Sequence, residues 1–353
     1  MERILFPADC AKGWLPTPAE LCGRYPLSSN ASKFIFDSRE TIKKILEGID
    51  QRLILVVGPC SIHDLEAARE YAGMLKELQK EVSDLFFIVM RVYLEKPRTL
   101  IGWKGFVSDP YLDSSHDIAA GVRLARQFLR ELADKEIPVA SELLEIVTAP
   151  YFSDLLSWGC IGARTSTSPP HRQMAAGLNF PIGFKNSTDG NIDHAIHAVI
   201  SASNPHVYMG VDEKGALKRL ASSGNPHCHI ILRGGEKTPN YERDFVDRSL
   251  TKLMQAKQRP TLMIDCSHGN CRKNYEGQIH VFRSVIEQCL EGNRSISGLM
   301  LESNLQAGNQ PLAHPSKLRY GVSITDPCLD FSTTESLVKE AYAELQHALS
   351  LSI

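Results

Sequence analysis

Nine residues scattered along the chain could do chemistry together. Arg91, Lys96, Arg164, Lys185 and Arg233 are cations, and Cys60, His268, Glu302 and Asp326 are a thiol, an imidazole and two carboxylates. Five cations brought to one place repel each other unless anions offset them. A bound phosphate or carboxylate would do so, and the planar guanidinium fork suits either. The competing use is a structural ion-pair network with Glu142, Glu302 and Asp326. The second group mixes soft and hard donors, which suits a divalent Mn, Fe, Co or Zn ion better than Mg or Ca. Its members are far apart in sequence, so spacing does not group them. A buried Cys60, a hydrogen-bonded His268 and rim carboxylates are the plain alternative.

What would bring these residues together is the pattern around them. Short apolar runs recur at Leu53–Val57, Phe86–Met90, Pro138–Ser141, Ile161–Ala163, Ile182–Phe184, His229–Leu232, Leu262–Ile264 and Gly298–Leu301. Amphipathic helical patterns lie between several of them, as at Ala68, Tyr71, Ala72, Leu75 and Leu78. Eight strands with helical crossovers predict an α/β fold, a (β/α)8 TIM barrel. Each run is followed by a charged or metal-capable residue: Cys60, Arg91, Glu142, Arg164, Lys185, Arg233, Asp265 with His268, and Glu302. Barrel chemistry sits at the C-terminal strand ends. That shared address turns nine separate residues into one predicted site.

Three segments exceed the minimal barrel, which takes 51–353. Residues 1–50 form an N-terminal extension, with a capping box at Thr17-Pro18-Ala19-Glu20 and a short helix over Ser38–Gly48. An inserted hairpin occupies 206–221, and Ser332–Leu349 reads as a closing helix. Such additions serve regulation or subunit contacts, or simply cover a barrel end. The loop Tyr93–Asp117 is long for a barrel connection and carries Arg98 and Thr99, which could hold a second phosphate.

Composition excludes some classes. The chain has 353 residues, 43% of them hydrophobic, and a net charge of −2, so bulk charge suggests no nucleic-acid or membrane partner. No apolar run is long enough to cross a bilayer, and the first residues do not read as a signal peptide. The nine cysteines include no CxxC pair, which predicts reduced thiols in the cytoplasm.

The motifs GPCSIHD (58–64), RVYLEKPRT (91–99), GWKG (102–105), GARTS (162–166), GFKNSTDG (183–190), ILRGG (231–235), DCSHGN (265–270), LESN (301–304) and GVSITD (321–326) occur in this order. Together they resemble the type I 3-deoxy-D-arabino-heptulosonate-7-phosphate (DAHP) synthases of the aromatic-sensitive subgroup, from about residue 12 to the C-terminus. The resemblance implies condensation of phosphoenolpyruvate with D-erythrose 4-phosphate, the first step of the shikimate pathway. It implies Cys60, His268, Glu302 and Asp326 as ligands of a divalent metal. Arg91, Lys96, Ala163, Arg164, Lys185 and Arg233 fall on phosphoenolpyruvate-binding positions, and Lys96, Arg98 and Thr99 on the erythrose 4-phosphate loop. Lys96, Glu142 and His268 are its implied catalytic residues, Lys96 protonating the new alkoxide and Glu142 orienting water. None of these positions departs from the family pattern.

A related synthase condenses the same enol with a pentose phosphate, but carries Ala-Asn-Arg-Ser where this chain has Pro97-Arg98-Thr99. A non-catalytic relative would lack a ligand or a cation, and none is lacking. The subgroup also implies feedback inhibition by an aromatic amino acid, at Ile146, Pro150, Leu178 and Gly210, and a homodimer or homotetramer. Gly210 is similar to the tyrosine-sensitive members, where the phenylalanine-sensitive ones usually have serine.

Overall fold

The computed structural model describes residues 14–98 and 101–351. Strands β1 (Leu53–Gly58), β2 (Phe86–Arg91), β3 (Val139–Glu142), β4 (Trp158–Ile161), β5 (Ile182–Lys185), β8 (Cys228–Leu232), β9 (Leu262–Asp265) and β10 (Ile296–Asn304) pair in parallel in that order. β10 returns to pair with β1, in register from Ile54 opposite Gly298 to Gly58 opposite Glu302, and closes an eight-stranded barrel. Between β5 and β8 an antiparallel hairpin of β6 (His206–Val211) and β7 (Leu217–Ser222) stands apart from the barrel. A two-residue strand, β11 (Leu329–Asp330), pairs in parallel with the end of β10.

Helices α1 (Pro18–Arg24) and α2 (Ser29–Leu46) precede the barrel. Its crossovers contain α3 (Leu65–Val82), α4 (Ile118–Asp134), α5 (Ala149–Phe152), α6 (Pro169–Gly177), α7 (Asp193–Ala202), α8 (Arg243–Gln255) and α9 (Gly277–Leu290), and α10 (Phe331–Leu351) ends the described chain. The expected capping box is present: the Glu20 amide donates to the Thr17 hydroxyl and the Thr17 amide to the Glu20 carboxylate.

Side chains alternate along each strand, so the barrel has two apolar faces. Ile54 and Val56 point inward and pack with Val89, Ala140, Trp158, Cys160, Ile231, Met263 and Met300. Leu53, Leu55 and Val57 point outward against the helices. The interior is tight enough that β5 needs a glycine: a Cβ at Gly183 would lie 2.4 Å from Ile231 and 2.7 Å from Trp158. The buried Trp158 indole N–H donates to His229 Nε2 at 3.2 Å, which satisfies the one polar atom the tryptophan brings. Ile42, Ile45 and Leu46 of α2 join this interior cluster. The N-terminal extension therefore packs over the N-terminal end of the barrel.

Two sequence boundaries need correction. The fourth strand is Trp158–Ile161, not Ile161–Ala163, so Ala163 and Arg164 lie in the loop beyond it. The run from Trp158 to Ala163 is apolar or small throughout, and periodicity alone does not locate its end. The second helix begins at Ser29 rather than Ser38, because the Ser28 hydroxyl caps it by accepting from the Ala31 amide.

Candidate active site

The C-terminal strand ends enclose a cavity of about 320 Å³. Arg91, Lys96, Arg98, Glu142, Ala163, Arg164, Lys185, Arg233, His268, Glu302 and Asp326 all line it. Cys60 lies fully buried beneath Lys96, whose Nζ is 3.1 Å from the Cys60 Sγ. The sequence-predicted residues thus converge, except that Thr99 falls outside the described residues.

Cys60, Glu302 and Asp326 each offer a ligand atom within 4.8 Å of the others. The Cys60 thiol donates to Asp326 Oδ2 at 3.4 Å. His268 stands at the edge of this group. Its Nε2 is 3.8 Å from Glu302 Oε1, while its Nδ1 is held by the Ser267 hydroxyl at 2.5 Å and Asp265 Oδ2 at 3.0 Å. One ring nitrogen anchored outside and the other turned toward the cluster is the usual arrangement for a ligating histidine. Burial, with Glu302 beside it, pushes the Cys60 thiol up to about 11. A divalent cation reverses that, since a coordinating thiol gives up its proton. The donor set fits a transition metal, with a thiolate, an imidazole and two carboxylates.

The cations are arranged as buried pairs. Arg91 Nη2 donates to Glu302 Oε1 at 2.8 Å, and its Nε to the Pro59 carbonyl at 3.1 Å. The guanidinium also lies over the Tyr93 ring, 3.5 Å from its centroid. Burial opposes its charge, but Tyr93 and Glu302 hold it above the ordinary arginine range. Lys185 Nζ donates to Asp265 Oδ2 at 2.7 Å. Burial opposes the Asp265 charge too, yet Lys185 and His268 keep the carboxyl well below the usual range. Burial likewise opposes the Lys96 charge, and Cys60 and Glu302 outweigh it, so Lys96 keeps its proton. Arg233 is half-buried, its charge disfavoured by burial, and its amide is fixed by Asn186 Oδ1 at 2.8 Å.

Two backbone features shape the cavity. A Cβ at Gly162 would lie 2.1 Å from the Glu142 carboxylate, so only glycine leaves that carboxylate its place. Gly234, at φ +73°, packs closely on the next loop: a Cβ there would lie 2.4 Å from the Gly269–Asn270 backbone.

Sequence reasoning left Asp265, Gln278 and Tyr93 without roles. Asp265 ties Lys185 to His268, and Gln278 clamps the Glu302 backbone through both its amide and its carbonyl. Asp265 had a signal, its strand-end position. Gln278 had none, because its partner is on another element.

A second cavity, of about 690 Å³, lies between α1, α5, α6 and the hairpin. Ile146, Pro150, Leu178 and Gly210 all line it, with Met174, Tyr208 and Leu220. It is walled chiefly by apolar side chains from elements outside the barrel strands.

Comparison with known proteins agrees on one group. The model of the DAHP synthetase I family matches residues 26–339. The Tyr-sensitive phospho-2-dehydro-3-deoxyheptonate aldolase of Salmonella typhimurium is 48% identical, over 96% of this chain and 95% of its own. A Trp-sensitive enzyme of the same name from Escherichia coli K12 is 45% identical, over 92% of this chain and 93% of its own. The solved structure of a phospho-2-dehydro-3-deoxyheptonate aldolase from Francisella tularensis superposes with a TM-score of 0.93 at 43% identity, covering 96% of this chain and 99% of that one.

Proposed function

This chain belongs to the DAHP synthetase I family, and from that membership we propose how its residues carry out the family's reaction. The chain is a DAHP synthase: it condenses phosphoenolpyruvate with D-erythrose 4-phosphate and water, giving DAHP and phosphate. The observation that carries the residue roles is the convergence of the cations and the Cys60, Glu302 and Asp326 donors on one strand-end cavity.

Arg91, Arg164, Lys185 and Arg233, with the Ala163 backbone, hold the phosphate and carboxylate of phosphoenolpyruvate. Preset by Glu302 and Asp265, Arg91 and Lys185 need little reordering when that anion binds, which lowers the entropy cost of aligning C3 for attack. Arg98 and Thr99 hold the phosphate of the aldose. Cys60, His268, Glu302 and Asp326 hold a divalent Mn, Fe, Co or Zn ion, which when bound supplies Lewis acidity at the aldehyde oxygen. Lys96, kept protonated, delivers its proton to the alkoxide oxygen left when C3 bonds to the aldehyde carbon. Glu142, fixed against Gly162, orients the water that adds at C2. Loss of phosphate by C–O cleavage completes the product.

Two assays test this route. Isotope in the bridging oxygen of phosphoenolpyruvate is expected in released phosphate; label retained in the sugar would refute it. Phosphate release is expected with erythrose 4-phosphate and not with arabinose 5-phosphate, as Pro97-Arg98-Thr99 implies.

The second cavity is the site of an aromatic amino acid effector, tyrosine in particular. Its apolar walls suit an aromatic ring, and the Tyr-sensitive relative supports the choice. Phenylalanine as the strongest of the three inhibitors would refute the tyrosine assignment. The extension 1–50 and the hairpin serve regulation and subunit contact in a homodimer or homotetramer, supported by exposed Trp14, Val207, Met209 and Leu217. No described helix is long and apolar enough to cross a membrane. A cytoplasmic setting is supported by free thiols at all eight described cysteines.

A further inference from the structure

One buried carboxylate in the catalytic loop has no part in the chemistry above. Glu95 is only 7% exposed and precedes Lys96 directly. Among the described residues no cation pairs with it; its oxygens accept from the Thr148 hydroxyl at 3.0 and 3.2 Å and from the Glu145 amide at 3.5 Å. Burying a carboxylate on such partners is costly, and burial pushes its pKa up to about 7. A glutamine would pay far less for the same place, so the carboxylate calls for a use.

Thr148 supplies it. Its neighbours Val147 and Ala149 both line the second cavity, as do Ile146 and Pro150. The Thr148 hydroxyl has one proton but two acceptors, the Glu145 carbonyl at 2.8 Å and the Glu95 carboxylate at 3.0 Å. It can serve one fully only by releasing the other, so a small shift of the 146–150 wall decides which. On the far side, Lys96 is held by its amide to the Lys104 carbonyl at 2.9 Å and by Nζ to the Cys60 carbonyl at 3.2 Å and the Cys60 thiol. Glu95, which bonds the wall, and Lys96, which lines the strand-end cavity, are neighbours joined by one peptide bond.

We propose that Glu95 is a positioning residue that couples the 146–150 wall of the second cavity to Lys96, with the two-acceptor Thr148 hydroxyl as its switch. The inference rests on the reading of that cavity as an effector site. A packed chain with two discrete hydrogen-bonding states is the kind of element both sites can bias. A ligand that moves the wall draws the Thr148 proton to Glu145, frees Glu95, and displaces Lys96 from the alkoxide it must protonate.

The test uses the full chain, L-tyrosine as the probe, and the variants Thr148→Val, Thr148→Ser and Glu95→Gln. Tyrosine binding is measured by calorimetry, and inhibition by phosphate release. In Thr148→Val, which cannot bond Glu95, kcat without tyrosine is expected to fall toward that of the tyrosine-inhibited wild type, with tyrosine affinity within about threefold of wild type. The further inhibition by tyrosine is expected to fall below half, and Thr148→Ser to restore both kcat and inhibition. Glu95→Gln is expected to weaken inhibition likewise and to lower kcat severalfold with little change in KM for phosphoenolpyruvate. A general loss of fold would lower kcat and tyrosine affinity together and would not be rescued by serine. If tyrosine binds and inhibits wild type, and Thr148→Val is inhibited as fully, the coupling is overturned alone. If wild type binds none of the three aromatic amino acids, the effector reading is overturned and the coupling with it.

Discussion

The two cavities are built on opposite principles. The strand-end cavity is polar, small and walled by residues whose backbones belong to one closed sheet or the loops just beyond it. Its charges are paired before any substrate arrives, as Arg91 with Glu302 and Lys185 with Asp265. The second cavity is larger and mostly apolar, made from α1, the short crossover helices α5 and α6, and a hairpin that the barrel does not require. A rigid frame suits a site that must hold charges to a fraction of an ångström. Loosely tied elements suit a site whose occupancy must move something. Substitutions should therefore fail differently in the two places.

The largest effect is expected in the first. Arg91→Met would remove the proposed phosphoenolpyruvate contact and leave Glu302 buried without its Arg91 partner. kcat/KM is expected to fall roughly thousandfold, with about 3–5 kcal/mol of stability lost. Steady-state kinetics and denaturant unfolding measure the two. A variant with near-normal activity would show that the paired charges are structural only.

Next comes Glu95, which lies between the cavities. Its folded pKa of about 7 exceeds the ordinary 4.5, because burial disfavours the charge and Glu145 adds repulsion. The folded state then binds the proton more tightly than the unfolded state, so this group's contribution is full below about pH 4.5 and is lost as pH rises to about 7. The shift corresponds to about 3 kcal/mol. Unfolding free energy measured from pH 5 to 7.5 is expected to fall more steeply in wild type than in Glu95→Gln. Parallel curves would place Glu95 in ordinary solvent contact.

The smallest effect is expected at the second cavity. A Cβ at Gly210 would meet the flexible end of Leu220 at 2.7 Å and the edge of the Tyr208 ring at 3.3 Å, both side chains rather than backbone. Gly210→Ser is therefore expected to leave kcat and fold intact and to weaken tyrosine inhibition about tenfold, while phenylalanine gains. Inhibition curves for both amino acids check it, and an unchanged order of preference would detach Gly210 from effector choice.

The same contrast governs what could be read from sequence. The first site was legible because strand ends are marked by apolar runs, and a closed barrel sends all those ends to one mouth. Arg164 was found although its strand was misplaced, because a shift along the chain leaves it at the same mouth. Asp265 was visible, but its purpose depends on Lys185, eighty residues away in space-filling contact that no local pattern encodes. The second cavity came only from family resemblance. Ile146, Pro150, Leu178 and Gly210 belong to elements with no shared repeat, and nothing in their spacing says that α5, α6 and the hairpin face one another. Helix α2 was cut short for a related reason: its cap at Ser28 is local, but its inward face is defined by the barrel floor it covers.

The central claim is that Cys60, His268, Glu302 and Asp326 hold the metal that the neighbouring cations work beside. It is tested most directly by assaying phosphate release from phosphoenolpyruvate and erythrose 4-phosphate after chelation and again after Mn is restored, in wild type and in Cys60→Ala. Wild type is expected to lose activity on chelation and regain it with Mn, and Cys60→Ala to stay inactive in both states. Full activity in chelated wild type, or an active Cys60→Ala enzyme, would contradict the account.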